Sequence, residues 1–391
     1  MWRFRSGLSA WLLLGAWLLS SSPAEGRRPP SASLLQDPVF TTQLRIGLDH
    51  LYDVETREAR EVFERLGRLY PGHPVLPLLE AQLLWWHILL DPQDHSRDER
   101  LQARLERAIA GSDRRLERDP RDLDGRYVRA TAMALRGRLR SLRGDWIAAA
   151  WDAKRSLDLV RQLAREQPGN EDVGFALGIY DYFADVAPER YPVLKALKPF
   201  FPSGDRQRGL AALERASRHG QLARTEAAYF LLQIHYHFEE DPRRSLEQAR
   251  WLRQQHPKNP LFHLFEGRIH SRWGRTEKAV PILQDVLRRY ARQESGYGEG
   301  IAEEALYHLV RCAMRNRDYG AAGAYLDRLE AMAANRTSGV LTLVHLRRGM
   351  VLDARGIRPA AVGHYQRTLN LPDSGEAHAL ARKFLRSPYP G

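Results

Sequence analysis

From Phe40 onward, apolar residues recur at spacings of three and four, the period that lines one face of an α-helix. No stretch alternates in the two-residue period of a half-buried strand. Val, Ile and Thr are sparse, whereas Ala, Leu, Arg and Glu dominate, so intrinsic propensity also favours helix. Between 74 and 220 the pattern predicts three helical hairpins: 75–90 with 97–118, 122–143 with 145–166, and 171–186 with 205–219. Asp119-Pro120, Gly144-Asp145 and Gln167-Pro168-Gly169-Asn170 are the breaks between helices. Ala187 to Gly204, rich in Pro and aromatic residues, reads as a loop inserted into the third hairpin.

A second period is longer. Gly47 is followed twelve residues later by Ala59, Gly267 by Ala279, Val310 by Ala322 and Gly349 by Ala361, each pair then trailed by large residues such as Phe63, Leu283, Leu326 and Tyr365. Small side chains at two such positions let antiparallel helices approach closely, and the large ones fill the space beneath. This arrangement resembles the tetratricopeptide repeat family, a helix–turn–helix unit of about 34 residues. The units align at 40–73, 226–259, 260–293, 303–336 and 342–375. The one starting at Glu226 keeps Tyr229, Leu232 and Tyr236 at the family's positions but carries Gln233 and Ser245 where small residues are preferred. Residues 178–220 (GIYDYFADVAPERYPVLKALKPFFPSGDRQRGLAALERASRHG) are similar to the inclusion-body-clearance, or tetratricopeptide repeat protein 39, group. The resemblance implies an all-α, right-handed superhelical solenoid of about eight hairpins and a protein that binds others. Its expected divisions are N-terminal hairpins with long helices at 40–220, interrupted by the loop at 187–204, repeats at 221–375, and a capping helix and tail at 376–391.

The N-terminus departs from this pattern. Arg3 and Arg5 precede an apolar run from Leu8 to Leu19, and Ser20-Ser21-Ser22-Pro23-Ala24 ends in small residues suited to cleavage before Glu25. Residues 1–24 read as a signal peptide, whose 12-residue apolar run is too short for the roughly 20 residues that span a bilayer, and an uncleaved anchor is the competing reading. The expected mature protein is exported, periplasmic or secreted, without a transmembrane segment, and residues 25–39 form a disordered leader.

Charge and chemistry narrow the function. The chain carries 60 Lys+Arg against 48 Asp+Glu, and only six of the cations are lysines. A single cysteine, Cys312, excludes an intramolecular disulfide framework and a four-thiolate zinc site, and it reads as a buried free thiol. Gly296-Tyr297-Gly298-Glu299-Gly300 follows a helix end rather than a strand, so it is no dinucleotide loop and reads as a flexible join. No His-Glu-x-x-His occurs, His235 and His237 project to different sides of a helix, and no carboxylate completes a ligand set with His263 and His270. Asn335-Arg336-Thr337 fits a glycosylation sequon. Arg126, Arg129, Arg136, Arg140 and Arg143 fall on one side of a helix and read as a solvated face paired with Asp145, Asp152 or other acids.

A different set of arginines carries the functional expectation. The resemblance puts the ninth and thirteenth residues of each unit on the concave face. These are Arg268 and Arg272 in one unit and Arg311 and Arg315 in the next, with Tyr307 beside them. Such a groove suits a protein or peptide partner with an acidic segment, because guanidinium forks bind carboxylates in bidentate fashion. Glu266, Glu303 or Glu304 could instead neutralise it. The expectation is a non-catalytic scaffold with no cofactor, no metal, no small-molecule substrate and no nucleic-acid target. The alternatives are a binder of an anionic polymer through the arginines, or a cell-wall-cleaving enzyme.

Overall fold

The computed structural model describes residues 33–196, 198–334 and 339–391. The signal segment, the start of the leader and the Asn335 sequon lie outside them. Among the described residues there are eighteen α-helices and no strand. Eight hairpins follow one another: α1 (Pro38–Tyr52) with α2 (Thr56–Leu69), α3 (Val75–Leu90) with α4 (Asp98–Arg118), α5 (Leu123–Leu142) with α6 (Trp146–Glu166), and α7 (Glu171–Arg190) with α9 (Arg206–His219). Then come α10 (Arg224–His237) with α11 (Pro242–Gln255), α12 (Pro260–Arg272) with α13 (Thr276–Ala291), α14 (Glu299–Arg315) with α15 (Tyr319–Ala333), and α16 (Val340–Ala354) with α17 (Arg358–Asn370). The short α8 (Pro192–Lys195) lies inside the fourth hairpin, and α18 (Ala377–Arg386) caps the last. The chain is thus an all-α solenoid of helical hairpins, and the expected units coincide with its hairpins.

Close packing within the hairpins follows the small-residue period. Ala59, Ala279, Ala322 and Ala361 are completely buried. The glycines on the facing helices are covered by the large residues that come sixteen positions later. A Cβ on Gly267 would stand 2.7 Å from Leu283, and one on Gly349 would stand 2.5 Å from Tyr365. The turns share a second device. After α5, α12 and α16 a glycine takes a left-handed conformation (Gly144 φ +81°, Gly274 φ +76°, Gly356 φ +77°), while Val54, Glu240 and Arg317 do so after α1, α10 and α14. The residue after each glycine donates its N–H back five residues, as Asp145 does to Arg140, which satisfies a carbonyl the helix end leaves open.

Three expectations are corrected. The insertion begins at Tyr191, because α7 continues through Pro188 to Arg190; a proline in the last turn removes a single hydrogen bond, whereas Tyr191, preceding Pro192, is pushed to extended backbone. The leader is ordered from Ser33. The buried carboxylate of Asp124 accepts the Ser33 hydroxyl at 2.6 Å and the Leu34 N–H at 2.8 Å, and a short 3-10 turn at Leu34–Gln36 follows. The arginines of α5 pair with Asp152 and other acids as expected, but they are not a solvated face. Arg126 is 3% exposed and grips Glu166 of α6, Arg136 and Arg140 share the fully buried Asp152 at 2.7 and 2.6 Å, and Arg143 pairs with Asp98 of α4 at 2.6 Å. They tie neighbouring helices together, while Asp145 caps α6.

The first two hairpins do not stand free at one end of the array. They fold back onto the fifth to seventh. The Asn259 carboxamide donates to the Tyr52 carbonyl at 2.6 Å, the Lys258 N–H donates to Asp53 at 3.1 Å, and the Lys258 ammonium pairs with Glu55. Behind these polar contacts, Trp86 of α3 meets Phe262 of α12 edge-on at 5.8 Å. Gly300 in the first turn of α14 abuts the Leu90 carbonyl, leaving no room for a Cβ. Residues 296–300 are therefore a packed seam rather than a flexible join: a Cβ on Gly296 would stand 3.1 Å from Pro260 and 3.2 Å from Val54, and Tyr297 is buried.

Candidate binding surface

Arg268 lies on α12, Tyr307 and Arg311 on α14, and Arg347 on α16, the first helices of three successive hairpins. Their common neighbour is His308, which is buried and shares a hydrogen bond of 3.1 Å with Ser271. Burial pushes the His308 imidazole well below its ordinary pKa, and the positive charges of Arg268, Arg311 and Arg347 push it further the same way. His237 on α10 is lowered to about 3 by burial together with Arg268, Arg272 and Arg190. Both rings are neutral at pH 7, so the charge of this face resides in its arginines.

These arginines are not equally available. Arg268 lies over the rings of Phe265 and Tyr236, at 4.5 and 5.4 Å, and Glu304 comes within 3.7 Å of it. Arg272 donates to the Tyr236 carbonyl at 2.6 Å and pairs with Glu240 at 2.6 Å. Glu266, an expected neutraliser, is taken by Arg250 and Arg253. Arg315 is exposed and rests its guanidinium against Gly274 in the α12–α13 turn. Arg311 makes no hydrogen bond or ion pair among the described residues and is half-buried. Arg347 donates to the Tyr307 hydroxyl at 3.3 Å and lies 5.8 Å from the centre of that ring.

The structure thus gathers Arg268, Tyr307 and Arg311 around one buried histidine. It leaves Arg272 one turn along α12 in its own ion pair, and Arg315 beside the turn. Reasoning from the sequence missed Arg347. It occupies the sixth position of the unit that starts at Thr342, and the ninth and thirteenth positions there are Met350 and Ala354. Its long side chain reaches back to Tyr307 from a register the repeat pattern does not single out. Cys312 is buried behind this face, and burial raises its thiol pKa. No group of three or more His, Cys, Asp or Glu side chains that could hold a metal ion occurs among the described residues. No described helix is long and apolar enough to cross a membrane.

A family model described as Iml2/Tetratricopeptide repeat protein 39 matches residues 188–338, so the likeness read from 178–220 extends from the end of α7 through the fifth, sixth and seventh hairpins to beyond α15. No curated protein sequence matches the chain. Among solved structures, the human IFIT1 dimer with m7Gppp-AAAA is similar with a TM-score of 0.47 and 14% identity, over 90% of this chain and 88% of that one. Yeast Tom70 is similar with a TM-score of 0.40 and 11% identity, again over 90% and 88%. Similarity at this level is too low to bear on ligands.

Proposed function

We propose that this protein is a non-catalytic scaffold that holds an acidic segment of a partner protein against the face formed by Arg268, Tyr307, Arg311 and Arg347. The observation that carries the reading is Arg311: a guanidinium with no hydrogen-bond or ion-pair partner among the described residues, beside an imidazole that burial, reinforced by the charges of Arg268, Arg311 and Arg347, keeps neutral. A carboxylate arriving there meets a fork with unused donors and the flat ring of Tyr307 beside it. Glu304 compensates Arg268 only in part, at 3.7 Å, which leaves the local charge positive. We further propose that the scaffold works outside the cytoplasm, on the strength of Arg3, Arg5, the Leu8–Leu19 run and the small residues before Glu25.

A fluorescein-labelled peptide rich in Asp and Glu tests the surface by anisotropy. Binding should weaken about tenfold or more with Arg311→Glu, an effect of at least 1.4 kcal/mol, while the melting temperature is unchanged. Equal binding by the variant would refute the surface. A salt slope as steep as that of a polyphosphate, unchanged by peptide sequence, would favour the anionic-polymer reading. N-terminal sequencing of the protein recovered from its producing cells reads Glu25 if the segment is cleaved and Met1 if it is not.

A further inference from the structure

The fold-back of the first hairpins encloses a second site. α1, α3, α5, α7 and α10 surround a cavity of about 1240 Å³. Pockets for small ligands run to about 300–1,000 Å³, so this chamber is larger than a drug-sized molecule needs. Its walls are apolar because each helix turns a second hydrophobic stripe inward, in addition to the one it packs on its hairpin partner. Helix α3 is apolar almost all round, with one face buried on α4 and Leu78, Gln82, Trp85 and Leu89 along the chamber. Helix α5 presents Tyr127, Thr131, Ala134 and Arg138 at helical spacing. One end is walled by the insertion, where Tyr191 stacks on Trp146 at 4.0 Å and Phe201 tilts against Trp151 at 5.3 Å. Along most of these walls water would find few polar partners, whereas hydrocarbon would find apolar surface.

Most of the wall is apolar, and its charged members are Arg138, Glu226, Asp172, Asp185 and Lys198. Arg138 lies 4.7 Å from the centre of the Trp85 ring and 4.7 Å from that of Phe230, and it spends one nitrogen on Glu226 at 3.1 Å. Arg138 and Glu226 cancel each other's charge.

We propose that the chamber binds a single-chain amphiphile: a long hydrocarbon tail along the α3, α5, α7 and α10 walls, and an uncharged, oxygen-bearing head beside the paired Arg138 and Glu226. The head is uncharged because the polar cluster that would receive it has no net charge. This site is separate from the arginine face, and neither reading depends on the other.

The probe is 1-monooleoylglycerol, added below its aggregation concentration to full-length protein stripped of lipid, and followed by native mass spectrometry and calorimetric titration. One molecule should bind per chain. Ala134 and Ala153 line the chamber and are exposed to it, so Ala134→Trp should obstruct the tail path without disturbing the packed faces of α5. It should weaken binding about tenfold or more with the melting temperature kept; Ala153→Trp serves if the first variant does not fold. Absence of saturable binding, or binding unaffected by either tryptophan, overturns the chamber as a lipid site. Oleate bound as tightly as the glycerol ester at pH 8 overturns the uncharged head.

Discussion

At the scale of single residues, charge in this protein works mostly as internal structure. Asp152 is completely buried and holds Arg136 and Arg140, so its own desolvation is offset by two charge-assisted contacts. Removing it strands two guanidiniums at the α5–α6 contact. Asp152→Ala should therefore destabilise the fold by about 3 kcal/mol, measured by urea unfolding, whereas Asp145→Ala should cost about 1 kcal/mol, the ordinary value of a helix cap. A loss at Asp152 no larger than that at Asp145 would show the pair to be ornamental. The arginines of α5 were legible in the sequence as one helical stripe, and so was Asp152 as a partner of two of them, but not their more distant partners. Glu166 and Asp98 sit forty or more positions away, and only the packing of α4 and α6 brings them together. The binding face was half legible for a similar reason: Arg268 and Arg311 follow from the repeat register, whereas Arg347 depends on how far a side chain reaches between hairpins.

At the scale of elements, glycine separates positions that pack from positions that do not. On α9, a Cβ at Gly209 would stand 2.6 Å from the backbone nitrogen of Tyr182 and 2.8 Å from the carbonyl oxygen of Gly178 on α7. Backbone cannot rotate away as a side chain can, so Gly209→Ala should force the two helices apart at a cost of about 1–3 kcal/mol. Gly363, inside α17, has no atom within 4 Å of the same point. There the alanine should raise stability by about 0.5–1 kcal/mol, through helix propensity alone. Thermal unfolding of the two variants should move in opposite directions, and a shared direction would contradict this packing. The hairpins themselves were readable because the twelve-residue period encodes a contact within one unit. The ends of the insertion and the seam at 296–300 were not, since Pro188 and Gly300 take their meaning from what touches them. In a short peptide the same residues would read as loop.

For the whole molecule, buried imidazoles set a limit on acid stability. Burial lowers His256 and His263 to about 4 and, with nearby arginines, His237 to about 3; His308 is depressed as well. An unfolded chain protonates its histidines near pH 6.5, so as pH falls below that value it gains protons the fold excludes. Stability is therefore full above pH 6.5 and declines toward pH 4, by about 1.4 kcal/mol per pH unit for each histidine that remains neutral in the fold. Urea midpoints at pH 7.5 and pH 5.0 should differ markedly, although most carboxylates are ionised at both. Equal midpoints would mean these rings are open to solvent.

The fold-back of α1–α3 onto α11–α14 also bears on how the chain acquires its structure in time. Hairpins of a linear array need only their neighbours and can form in any order. The clasp of Tyr52 and Asn259 joins residues 207 positions apart, and a contact of that span must wait for loop closure that nothing local rewards. During synthesis, α1–α3 therefore leave the ribosome with their docking surface uncovered, including Trp86, and stay so until α12 has been made. Refolding should show a fast rise in helicity followed by a slower burial of tryptophan. Asn259→Ala should reduce the amplitude or the rate of the slow phase and leave the fast one alone. A single phase common to both signals would mean that the clasp forms together with the hairpins it joins.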